Sequence, residues 1–197
     1  SLITIVATYK PLLLAGLLLA TFACERPAPP TPAEAAQAPL NLTTYLQQQR
    51  RQLEAEQPMV LKSVATQGEE PEVIETPDID WEDELAVFEQ ADLSRPSLQE
   101  YYTRQEQTLE NGNKAIEYTK LEDAEPQVQS LRLIMSPAGK LVQLNAVLQD
   151  KNIIFFSRRD LELSTNPQTG NISSYSINGV QKMIFGDSLH YQVNTNL

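Results

Sequence analysis

The sequence predicts an α+β fold, with short N-terminal helices packed on a C-terminal antiparallel β-meander that forms a curved sheet or open half-barrel. Two observations carry this. Apolar residues recur at helical spacing before residue 113 and alternate with period two after it. Pro- and Gly-bearing turn motifs then cut the alternating half into strands of similar length. Composition narrows the rest. The chain has 197 residues, with 15 Lys and Arg against 26 Asp and Glu, hence a net charge of −11. One Cys excludes a disulfide framework, and one His excludes a multi-His metal centre. The acidic balance argues against nucleic acid as a partner, because phosphates need clustered Lys and Arg.

Residues 11–23 (PLLLAGLLLATFA) form an apolar run between Lys10 and Cys24. A helix spanning the hydrocarbon core needs ~20 apolar residues. The run therefore fits the h-region of a signal peptide over residues 1–23. The tetrad Thr21-Phe22-Ala23-Cys24 resembles the lipobox of bacterial lipoproteins. Thr21 and Phe22 stand where the usual box carries Leu and then Ala or Ser, and looser boxes of this kind are similar to those of Bacteroidota. The resemblance implies cleavage before Cys24, diacylation of its sulfur and acylation of the new N-terminus, so that Cys24 is the lipid attachment site. The rival reading of the same residues is an uncleaved anchor over residues 2–23, with Lys10 as its one charge. Residues 24–39 then hold five prolines and no large apolar side chain, which makes them a tether that cannot bury a core.

Residues 40–112 read as a helical, acidic segment. Over residues 40–57, Leu42, Tyr45, Leu46 and Leu53 fall near one face, Asn41 or Thr43 offers a cap, and Pro58 ends the helix. Residues 59–64 suit a short strand, and residues 67–77 have loop chemistry. Asp80 is the next N-cap candidate, with Trp81, Leu85 and Phe88 at i, i+4, i+7 as a packing or interaction stripe. After Arg95-Pro96, Ser97 and Glu100 have capping-box spacing, which predicts a second helix over residues 98–109 ended by Asn111-Gly112-Asn113. Residues 69–92 contain eleven acids and no Lys or Arg, while residues 131–197 balance six Lys and Arg against four acids. That segregation suits a solvated acidic face, or a surface for a basic partner.

Residues 113–197 read as the antiparallel β-domain. Leu131, Leu133 and Met135 alternate, as do Val142, Leu144, Ala146 and Leu148. Residues 153–156 (IIFF), then Leu161 and Leu163, continue the pattern. Ser136-Pro137-Ala138-Gly139, Asn166-Pro167 with Gly170, Asn178-Gly179 and Gly186-Asp187 supply the turns. Most of the core is expected from residues 131–193.

Candidates for chemistry are few. Asp78, Asp80, Glu82 and Glu89 approximate a calcium-loop spacing, but Asp83 stands where that loop needs Gly, so a capped acidic helix start is favoured. His190 sits on the last strand between Leu189 and Tyr191, a surface pattern. No phosphate loop, nucleophile elbow or paired-His zinc motif occurs. The expectation is a protein without enzymatic activity, catalytic residue, metal or cofactor.

The segment from Asp80 to Pro96, followed by Tyr101-Tyr102, resembles a segment of uncharacterised Bacteroidota outer-membrane lipoproteins that precedes a C-terminal β-meander. The resemblance covers roughly residues 55–197 and implies placement and architecture rather than activity. The reading that follows is a palmitate-bearing lipoprotein of the outer membrane. It faces the periplasm, is anchored through Cys24, and serves as an accessory or interaction subunit with an envelope protein partner. The alternative is a lipid or lipoprotein carrier, by analogy with the half-barrel carriers and receptors. The two differ in whether Ile154, Phe156, Val142, Leu144 and Met183 line an open apolar cavity.

Overall fold

The computed structural model describes residues 40–197. The signal peptide expected at residues 1–23, the lipid attachment site Cys24 and the tether at residues 24–39 lie outside the described residues. Residues 40–197 fall within one compact unit. It is an α+β structure with nine strands in one antiparallel sheet and three short helices.

Helix α1 (Leu42–Glu56) starts where Asn41 Oδ1 accepts from Thr44 N at 2.8 Å. It stops at Gln57, which takes the left-handed conformation (φ 46°) just before Pro58. Its buried stripe is Leu42, Leu46, Gln49 and Leu53. Gln49 is the one polar member of that stripe. Its buried amide accepts from Ile172 N (2.9 Å) and donates to Asn171 Oδ1 (3.2 Å). A side chain that reads as polar surface thus joins the helix to the sheet.

Strand β1 (Val60–Thr66) follows, and then β2 (Glu72–Thr76). Here the expected loop over residues 67–77 is corrected: Glu72 to Thr76 pair antiparallel with β1 around a turn containing Gly68 (φ 85°). Every residue of β2 but Thr76 is exposed, so no alternation of polarity marks it. Pairing with a neighbour, which local sequence does not record, makes it a strand.

Helix α2 (Trp81–Glu89) is capped by Asp80, whose Oδ1 accepts from Glu82 N (3.1 Å) and Asp83 N (3.2 Å). Trp81, Leu85 and Phe88 are all buried. Helix α3 (Pro96–Gln99) has only four residues, and its cap, Arg95, makes no side-chain bond. The capping box at Ser97 therefore does not form, and the helix expected over residues 98–109 is corrected to β3 (Tyr102–Thr108). The reason lies in the next element. Asn111-Gly112, with Gly112 at φ 83°, turns the chain into β4 (Lys114–Lys120), and β3 pairs with it from Tyr102–Lys120 to Thr108–Lys114. An Asn-Gly pair between strands is a hairpin signal that outranks a lone capping box.

The remaining strands are β5 (Val128–Met135), β6 (Leu141–Lys151), β7 (Phe155–Thr165), β8 (Ile172–Met183) and β9 (Ser188–Asn196). Ile153 and Ile154, expected in a strand, occupy the β6–β7 turn. The hairpin expected at Asn178-Gly179 is also corrected. Both residues pair within β8, opposite Asp160 and Arg159 on one side and Gln192 and Tyr191 on the other. A Cβ at Gly179 would lie 2.1 Å from Tyr191 Cζ, so the glycine is there to let the ring lie against the strand. The turn comes later, at Ile184 to Asp187.

Sheet order is β2-β1-β9-β8-β7-β6-β5-β4-β3. The meander runs in sequence from β3 to β9, and β1 adds to its far side against β9. The core joins Leu42, Leu46, Trp81, Leu85 and Phe88 to Leu133, Leu144, Leu148, Leu163 and Tyr175. Phe88 meets Tyr175 edge to face, with ring centroids 5.6 Å apart. The helical half thus contributes heavily to a core expected mostly from residues 131–193.

Candidate functional site

Directly paired residues share a face of the sheet, so the register assigns each side chain to one side. Leu144, Leu163, Tyr175 and Thr195 lie in one cross-strand row with Lys62. Two residues further along lie Ala146, Leu161, Ile177, Val193 and Val64. This is the apolar face, and Leu42, Leu46, Leu85 and Phe88 join its buried residues in one core.

The few polar groups on that face are used as ties. Glu84 of α2 accepts from Lys62 Nζ of β1 and from Tyr175 OH of β8. Burial, together with the Glu84 carboxylate, pushes the Tyr175 phenol far above its ordinary value, so the hydroxyl keeps its proton and stays a donor. Arg159 donates at 3.0 Å both to Asp150 Oδ2 and to Gln90 Oε1, the residue that ends α2. Asp92 accepts from Thr43 N and Ser94 N, both at 2.9 Å. Burial alone would raise its pKa, but those bonds outweigh it and hold the carboxyl below its ordinary value. Each of these groups joins a helix or its flanking turn to another element, which is structural work.

The opposite face is polar. An open groove of about 400 Å³ runs over β7, β8, β9 and β1, lined by Arg158, Asp160, Asn178, His190 and Gln192 among others. Arg158 is neutralised by Asp160 at 3.2 Å. His190 is exposed there. The calcium-like spacing is spent otherwise, since Asp80 caps α2 and Glu82 reaches Arg50 at 3.5 Å.

The least ordinary surface lies where the long strands end. The β6–β7 turn is shaped by Asn152, whose Oδ1 accepts from Ile154 N and Phe155 N, both at 2.9 Å. In the β8–β9 turn Gly186 N donates to Met183 O at 3.3 Å. The two turns are joined by Ile184 N donating to Ile154 O at 2.9 Å. On this tip Ile153 is 92% exposed and Phe185 95%, with Ile154, Met183 and Ile184 each more than half exposed. Lys151, Phe156 and Lys182 form a row across β6, β7 and β8 beside it.

The residues chosen in sequence to decide for or against a cavity do not converge. Leu144 is fully buried in the core, whereas Ile154 and Met183 belong to the exposed tip. Trp81, Leu85 and Phe88 all go into the core. The tip itself was hidden in the sequence, because an apolar run such as residues 153–156 reads as a buried strand until the turn position is known. Among the described residues no helix is long and apolar enough to cross a membrane. Set against protein-family models, curated proteins and solved structures, the chain finds no match.

Proposed function

We propose that the protein is a non-enzymatic lipoprotein. Acylated Cys24 holds it in the outer membrane, facing the periplasm, where it serves as an accessory or interaction subunit of an envelope complex. The anchor rests on sequence: the sole Cys follows thirteen apolar residues and precedes a Pro-rich tether. The observation that carries the interaction role is the state of the sheet's apolar face. Leu42, Leu46, Leu85 and Phe88 fill it from the chain's own helices. What the domain offers a partner is therefore its exterior, including the acidic outermost strand with exposed Glu72 and Glu75. A carrier built on an open half-barrel would need that same face free to line a cavity, so the packing favours the scaffold reading.

Metabolic labelling with a palmitate analogue tests the anchor, comparing wild type with Cys24→Ser. Wild type should carry label and fractionate with membranes, and the variant should remain an unlabelled, uncut precursor. Unlabelled wild type overturns the placement. Purification from detergent-solubilised membranes tests the role: a stoichiometric partner is expected, and recovery solely as a free monomer counts against a subunit.

A further inference from the structure

We infer that the paired β6–β7 and β8–β9 turns form a second membrane contact, a shallow insertion tip for a bilayer carrying anionic phospholipid. Ile153, Ile154, Ile184 and Phe185 enter the boundary between headgroups and acyl chains, and Lys151 and Lys182 meet the phosphates. The inference does not rest on acylation of Cys24.

Four observations point to this occupant. Burial fades along β8 from Tyr175, 3% exposed, to Met183, 51% exposed, so the strands run past the core and carry their apolar ends into solvent. The two turns are fastened together through Ile184 N and Ile154 O and internally through Asn152, so little ordering entropy is lost on binding. Charge is complementary to an anionic surface. Lys151 and Lys182 lie in one cross-strand row with Phe156 and Ser188, and exposed Asp187 is the one acid of the two turns, so the tip is net positive on a chain of net charge −11. Asp150, next to Lys151, is engaged by Arg159 and Gln127. Shape completes the argument. A stable protein–protein interface takes roughly 20–30 residues a side, while the tip presents a handful of side chains on two turns. Interfacial amphipathic helices bury their apolar face ~5–10 Å and gain further from anionic lipid, and the tip offers the same pairing of apolar and basic side chains on two turns.

The test uses residues 40–197, which carry the core cluster of the described residues and lack Cys24. Vesicles of phosphatidylethanolamine with phosphatidylglycerol should co-sediment it, and pure phosphatidylcholine vesicles much less. Phe185→Ser and Ile153→Ser should each weaken binding about tenfold. Charge reversal at Lys151 and Lys182 should remove the preference for anionic vesicles, as should high salt. Both apolar positions are almost fully exposed, so these variants should keep the wild-type melting temperature. A second readout is independent of any loss of binding. Phe185→Trp should shift its emission to the blue on vesicles and be quenched by brominated acyl chains, while Trp81 stays buried in the core. The inference is overturned by absence of co-sedimentation, or by binding that Phe185→Ser and Ile153→Ser leave unchanged. It is equally overturned by a solution dimer that those substitutions dissolve, since the occupant would then be a second copy. None of these outcomes bears on palmitate labelling of Cys24.

Discussion

Asp92 shows how much one side chain settles. Its carboxylate takes a backbone N–H from each of two places: Thr43, in the first turn of α1, and Ser94, in the stretch after α2. Both bonds favour the ionised form, and the folded-state pKa lies below the unfolded one. The stabilisation is therefore fully present above the unfolded pKa of about 3.9 and is lost as pH falls through the folded value. Asp92→Ala should lower stability at neutral pH by about 1–3 kcal/mol, the cost of leaving part-buried donors unpaired. Thermal unfolding of wild type and variant from pH 7 downward should show the gap closing below about pH 4. A gap that stays constant to acid pH would mean that charge plays no part.

At the scale of elements, Gly179 marks where a turn motif and a strand compete for the same residues. Gly179→Ala should push the Tyr191 ring off β8 and cost about 1 kcal/mol, because the clash falls on the far end of a movable side chain. In a Tyr191→Ser background the same substitution should be nearly neutral. Equal effects in both backgrounds, measured by denaturant unfolding, would remove the ring as the reason for the glycine. The case also explains what local sequence could and could not reveal. Trp81, Leu85 and Phe88, the Asp80 cap and strands β5 and β6 were legible because burial imposes a period on them. Strands β2 and β3 were not, since they edge the sheet and their side chains are mostly in solvent. Asn178-Gly179 misled because its meaning depends on a ring twelve residues later. The exposed tip was illegible for a similar reason. Apolar residues in a turn and apolar residues in a strand spell the same string.

At the scale of the whole molecule, helix α1 belongs to the same folded unit as the sheet. Leu42 and Leu46 are essentially inaccessible, and Gln49 is bonded into the start of β8. Limited proteolysis should therefore leave a resistant fragment beginning close to residue 40, identified by intact mass. A stable core beginning near residue 80, without α1 and β1, would contradict the packing.

Among the described strands, β1 pairs with its own hairpin partner and with the last strand of the meander. Leu61 faces Asn196 and Thr66 faces Tyr191, contacts separated by well over a hundred residues of chain. Long-range pairing of this kind is slow and comes late, because a large loop must close before any contact rewards it. A ribosome still short of Ser188 holds a chain whose β1 has only its hairpin partner β2 beside it. Completion of the sheet is tied to the arrival of β9. The order of synthesis thus makes β1 wait for β9 before it can take its second neighbour in the sheet.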